Sequence, residues 1–221
     1  MVKEHDVIAL SEVLPEAAPV YRDALDGKYT SVVSRSGFND RLQILFNKQR
    51  FEFVRKMELR EINPGNYRSP LVVHLRDKST EQEFLVMNNH LARGKAEIRQ
   101  DQANKLVEWA REEAVDLPII ALGDYNFDFV FETERGNKGF DNMLRDNIWF
   151  WVKPEPYVDT NWYDPEPDGV DNYPGSMLDF GFVAGAAKDW KPTCKVIVRE
   201  GDFPDDETTS DHRPFEMMIG Y

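Results

Sequence analysis

Four carboxylates, one carboxamide and two imidazoles recur at the ends of apolar runs or inside them: Glu12, His90, Asp124 with Asn126, Asp179, and Asp211 with His212. The chain has only four histidines, and two of them fall in this set. Carboxylates with a carboxamide, few histidines and a single cysteine suit a hard divalent cation such as Mg2+ or Mn2+ rather than a structural zinc. A histidine beside one acid and oriented by another is the arrangement needed to activate a water. Each residue alone has an ordinary explanation, since Asp and Asn are common turn formers and an acid past a strand end is usually solvated. One pattern repeated in five places points to a shared site.

The elements that must position these groups are legible from hydrophobic patterning. The run 119–122 reads as a strand buried on both faces and stopped by Gly123, with Asp124 and Asn126 at the open end of a sheet. Strands are expected at Asp6–Leu10, Tyr29–Arg35, Leu42–Asn47, Phe51–Leu59, Pro70–Arg76, Glu83–Asn88, Met177–Val183, Lys195–Arg199 and Phe215–Ile219. Short turns join several of them, which indicates antiparallel pairing. Ala103, Leu106, Val107 and Ala110 at helical spacing predict one long helix over Lys95–Val115; shorter helices are expected at Ala18–Leu25 and Gly136–Asp146. From Trp149 to Ser176 the chain reads as a long irregular region. Its Trp149, Trp151, Trp162 and Tyr163 form either a ring-stacking platform or a cover over the core.

Length and composition set the outer limits. A chain of 221 residues without an internal linker or repeat reads as one domain, 1–221. No apolar stretch reaches the length of a membrane span, and no basic, apolar leader is evident at the start. A net charge of −13 disfavours affinity built on whole-surface neutralisation of nucleic-acid phosphates, although a local basic patch or a bound cation can reverse the sign where it matters. The single Cys194 rules out an intrachain disulfide.

The segments Ala9-Leu10-Ser11-Glu12-Val13, Asn89-His90-Leu91, Gly123-Asp124-Tyr125-Asn126, Leu178-Asp179-Phe180 and Ser210-Asp211-His212-Arg213-Pro214 resemble, in order, the signature blocks of the endonuclease/exonuclease/phosphatase superfamily. Its members include pancreatic-type deoxyribonucleases, apurinic endonucleases, inositol polyphosphate 5-phosphatases and bacterial sphingomyelinases. Arg99 and Gln102 on the long helix resemble the Arg-x-x-Gln common there. The resemblance implies an α/β (α+β) fold, a four-layered sandwich of two packed mixed, largely antiparallel sheets flanked by helices. It also implies a cofactor, Mg2+ or Mn2+, ligated by Glu12 with Asp211 as a further ligand. In the same reading His212 activates water or orients the phosphate, Asp179 holds its imidazole, and Asp124 positions the nucleophile or the leaving-group proton. Asn126 and His90 then donate hydrogen bonds to phosphoryl oxygens.

The resemblance departs from its pattern at the start. Superfamily members place an Asn-bearing strand ahead of the Glu block, whereas only eleven residues precede Glu12 here. An N-terminally truncated domain, or a substitute for that strand, is therefore expected, with a sheet edge to cover. The expected activity is metal-dependent phosphodiester hydrolysis, a nuclease in the first instance. Its alternatives are a phosphatase or phosphodiesterase on a small-molecule or lipid phosphate ester, and a non-catalytic relative that only binds. The substrate is thus nucleic acid or a small phosphate ester; oligomeric state and compartment stay open.

Overall fold

A computed structural model describes residues 5–63, 65–162, 175–202 and 210–221. In chain order its elements are β1 (Val7–Val13), α1 (Ala18–Asp23), β2 (Tyr29–Val33), β3 (Arg41–Asn47), β4 (Phe51–Glu58), β5 (Leu71–Asp77), β6 (Glu83–His90) and α2 (Ala96–Glu113). There follow β7 (Ile119–Phe129), α3 (Lys138–Met143), β8 (Trp149–Trp151), β9 (Met177–Ala184), β10 (Thr193–Val196) and β11 (Phe215–Met218).

Alternation along the strands divides the molecule into layers. A six-stranded sheet runs β4-β5-β6-β7-β9-β8. Its pairs are antiparallel except β6 with β7, which α2 connects as a parallel crossover. Val72, Leu85, Met87, Ile119 and Ala121 point to one face and pack on Ala103, Leu106, Val107 and Ala110 of α2. Leu71, Val73, Leu75, Phe84, Val86 and Ile120 point the other way, onto Leu42, Ile44 and Phe46 of β3. This second layer consists of a β1-β3-β2 sheet and a β10-β11 pair, and Met217 of β11 packs on the same core as β3. Beyond it, Leu25, just after α1, joins Ile8, Tyr29 and Leu45 in a smaller outer core. The four layers expected from sequence are present.

Among the described residues β1 pairs only with β3, and β11 only with β10. β1 is thus one edge of its three-stranded sheet, with β2 the other, and β10 and β11 are both edges of their pair. No helix of the described residues is long and apolar enough to cross a membrane.

Several expectations are corrected. β1 does not stop before Ser11-Glu12: it continues to Val13 through a register shift against β3, with Glu12 at φ 57° on the bulge. β7 does not end at Gly123 either. It resumes after an irregularity, because Phe127 and Phe129 have core to fill and Phe129 finds Met177 as its partner. Trp149 to Trp151 form an edge strand rather than the start of a loop, with Trp149 2% exposed and its ring N–H donating to Leu106 O. Trp149 and Trp151 thus cover the core, while Tyr163 lies outside the described residues. The helix read over Gly136–Asp146 is only the stretch Lys138–Met143, capped by the Asn137 side chain. β10 lies earlier than expected and ends at Val196.

Candidate active site

Three neighbouring strands bring the first groups onto one rim. His90 ends β6 opposite Asp124 of β7, and Asp124 lies opposite Asp179 of β9. The close approach of β6 and β7 depends on Gly123. Its φ is +136°, and a Cβ there would lie 2.1 Å from Asn89 O. Beyond it, Asn126 is left-handed at φ 52°. Its own hydrogen bonds hold that conformation: the backbone N–H donates to Asp124 Oδ1 (2.8 Å), and Nδ2 donates to Leu91 O (3.0 Å) and Asp124 Oδ2 (3.2 Å). The bulge thereby turns Asn126 back toward Asp124.

The segment 159–161 fixes the opposite wall. Thr160, fully buried, accepts the N–H groups of Leu178 (2.9 Å) and Asp179 (3.0 Å) on its hydroxyl. Its carbonyl accepts from Arg213 N (2.7 Å), and Asn161 Nδ2 donates to the carbonyl of Asp211 (3.2 Å). These bonds lay the 211–213 segment beside β9, so that His212 Nδ1 meets Asp179 Oδ2 at 2.7 Å.

The electrostatics follow from burial and neighbours. Burial works against a charged His212, but Asp179, then Asp124 and Asp211, outweigh it and raise its pKa to about 9. Near neutral pH the imidazole therefore carries a second proton and can donate toward the site. Asp124 is raised well above the usual carboxylate range, first by burial and then by the charge of Asp179 across the ladder. His90 is lowered to about 3 by burial, Arg68 and His212, and is neutral.

His90, Asp124, Asn126, Asp179 and His212 thus come together. Glu12 sits at the edge of this group, its carboxylate 3.9 Å from His90 Nε2 and 63% exposed. Asp211 is exposed, and Asn161 reaches its carboxylate at 3.4 Å. Among the described residues no three His, Cys, Asp or Glu side chains converge as a metal-binding cluster. Mg2+ does not require one, because it is commonly held by one or two carboxylates, waters and substrate phosphates. Exposed Glu12 beside His90 fits that mode, with Asp211 as the second candidate.

Sequence reasoning missed several participants. Arg68 donates from Nη1 to both oxygens of Asp40 (2.7 Å each) and to Glu12 Oε1 (3.3 Å), while its Nη2 lies 2.9 Å from His90 Nε2. Arg93 donates to Asn126 Oδ1 (3.1 Å) and Asp128 Oδ1 (3.2 Å). Both arginines occupy irregular stretches where no periodicity flags them. The Arg99 and Gln102 noted on the long helix are braces rather than site groups. Arg99 donates to Ala92 O (2.9 Å) and Arg93 O (2.7 Å), and Gln102 accepts from Ala92 N (2.9 Å), which fastens the loop carrying Arg93.

No family model and no curated protein matches the chain. Solved structures do. A mannosyl-6-phosphatase of Bacteroides thetaiotaomicron, Bt3783, is similar with a TM-score of 0.72 at 20% identity, over 100% of this chain and 87% of that one. An endonuclease/exonuclease/phosphatase family protein of the same organism gives 0.70 at 20% identity, over 98% and 84%. TDP2 of D. rerio, complexed with a single-strand DNA product, gives 0.71 at 17% identity, over 98% and 86%. With its layers, its strand order and these likenesses agreeing, the chain has the endonuclease/exonuclease/phosphatase fold.

Proposed function

We propose that this protein is a divalent-metal-dependent phosphoesterase that hydrolyses its substrate by attack of an activated water. The observation that carries the reading is the 2.7 Å contact of His212 with Asp179, set beside buried Asp124 at the strand ends where His90 and Asn126 also arrive. A phosphate ester is anionic, so its transition state needs hydrogen-bond donors and positive charge aimed at the phosphoryl oxygens. In this reading His90 donates to those oxygens, and Asn126 does so by exchanging its 3.2 Å bond to Asp124 for one to the phosphoryl group. His212, protonated near neutral pH, orients the phosphate, or takes the proton of the attacking water once it has released its own; Asp179 fixes its ring through Nδ1. Asp124 positions the nucleophile or the leaving-group proton. Mg2+ or Mn2+ held by Glu12, with Asp211, would supply further positive charge at the phosphoryl group.

Nucleic acid is one substrate class; the similar TDP2 of D. rerio is complexed with a single-strand DNA product. A small phosphate ester is the second, and the net charge of −13 favours it, because a polyanion must approach an acidic surface. Turnover of bis(p-nitrophenyl) phosphate and of p-nitrophenyl phosphate with Mg2+ or Mn2+ tests the reaction class. EDTA is expected to abolish it, and His212→Ala to lower kcat by about a hundredfold or more. Undiminished turnover in His212→Ala removes the assignment. A salt titration separates the substrates, since polyanion binding through cationic side chains weakens steeply with salt and small-ester binding does not.

A further inference from the structure

Arg68 combines an anchor, an imidazole neighbour and partial burial in a way that the role of Glu12 does not explain. Its strongest partner is Asp40: Nη1 meets both carboxylate oxygens at 2.7 Å, against 3.3 Å to Glu12. The side chain is 20% exposed. Asp40 therefore fixes where the guanidinium stands, and Nη2 is the end that projects to His90 Nε2 at 2.9 Å. A guanidinium can only donate, so a hydrogen bond at 2.9 Å makes Nε2 of His90 the acceptor and puts the ring proton on Nδ1, the longer 3.4 Å approach of Asp124 Oδ2 to the same nitrogen being the weaker contact. Yet His90 Nδ1 is buried and has no hydrogen-bond partner among the described residues. An N–H left in that position has given up its bond to water and gained none in return. The arrangement satisfies Arg68 at the expense of His90.

An anionic oxygen placed between the two side chains resolves this conflict. Arg68 Nη2 and His90 Nε2 then both donate to it, and the ring proton moves to Nε2. Nδ1 keeps only a lone pair, which is tolerated better than a stranded N–H. We propose that Arg68 is a substrate ligand: clamped by Asp40, it shares with His90 one oxygen of the phosphoryl group. The inference rests on the phosphoesterase reading for the identity of the anion. Geometry alone supplies the donor pair.

The experiment measures binding of inorganic phosphate, the expected product, by calorimetry in buffer containing Mg2+. Arg68→Ala is expected to weaken it by about tenfold or more, the loss of one charge-assisted hydrogen bond. Arg22→Ala, which removes an exposed cation paired with Asp23 on α1, is expected to stay within about twofold. Should Arg68→Ala not fold, Arg68→Lys keeps the charge but not the two-nitrogen fork, and is expected to bind about fivefold or more weakly. Phosphate binding at parental strength in a folded Arg68 variant, or none in the parent, overturns the proposal. Turnover that needs His212 beside phosphate binding indifferent to Arg68 overturns this inference and leaves the phosphoesterase reading standing. Phosphate binding that needs Arg68 in a protein that cleaves no ester does the reverse.

Discussion

Thr160 illustrates how much of the site depends on a residue with no chemistry of its own. Its hydroxyl accepts two backbone N–H groups of β9, including that of Asp179, in a fully buried position. Thr160→Val keeps the shape and strands both donors, at a cost of about 2–4 kcal/mol by urea unfolding. Thr160→Ser is expected to recover most of it; a loss in Thr160→Ser with none in Thr160→Val would show that the methyl packing, not the hydroxyl, matters. Asp179→Asn makes the complementary case. It removes the carboxylate that faces Asp124 across a ladder rung and raises it, but also the main attraction that raises His212, so the two effects oppose each other and the thermal midpoint is expected to shift little. Turnover is expected to fall by about a hundredfold, because His212 loses the charge that orients it. A variant that loses both together would mark Asp179 as structural. His212 and Asp179 were legible in the sequence because their side-chain types announce chemistry. Thr160, Asp40 and Arg68 were not, since each takes its role from a partner between 18 and 28 positions away.

The elements place these residues through departures from regular strand geometry. Gly123 lies beside the backbone of Asn89, where β6 and β7 carry His90 and Asp124. An added Cβ would sit 2.1 Å from Asn89 O and 2.8 Å from Asn89 N, and both obstacles are backbone. Gly123→Ala is therefore expected to cost about 3 kcal/mol or more in chemical denaturation. If the variant folds, its turnover falls as well, because the two strands must part where the site is built. Parental stability in Gly123→Ala would show that the strands yield there freely. Apolar runs made the strands readable, and the 3.6-residue period made α2 readable. The bulges at Glu12 and Asn126 were not readable, since a residue with positive φ leaves no mark on hydrophobic alternation. The short β8 was hidden for another reason: its three residues, Trp149–Trp151, sit at the edge of a long stretch rich in Pro and Asp.

For the whole molecule, charge decides how stability responds to pH. With 40 acidic and 27 basic side chains the net charge is −13, so self-repulsion eases as pH falls from neutrality. Two site groups act in the same direction. His212 titrates at about 9 in the folded protein against an ordinary 6.5; its contribution is complete below 6.5 and lost as pH rises through about 9. Asp124 is raised above its ordinary 3.8, so ionising it costs stability as pH climbs past that value. Asp77 acts oppositely. Burial works against its charge, but Ser79, Tyr221 and Arg50 donate to it and hold its pKa far below 3.8. Its contribution is complete above 3.8 and lost as pH falls beneath that value. Thermal midpoints are therefore expected to peak near about pH 5–6, decline toward the alkaline side and drop steeply in acid. Because Asp77 ties β5 to both Arg50 and the terminal Tyr221, Asp77→Asn is expected to lose about 3 kcal/mol at neutral pH and to flatten the acid limb. An acid limb as steep in Asp77→Asn as in the parent would assign acid unfolding to other carboxylates, of which Glu58, held down by the backbone N–H groups of Arg35 and Ser36 against its partial burial, is the next to test.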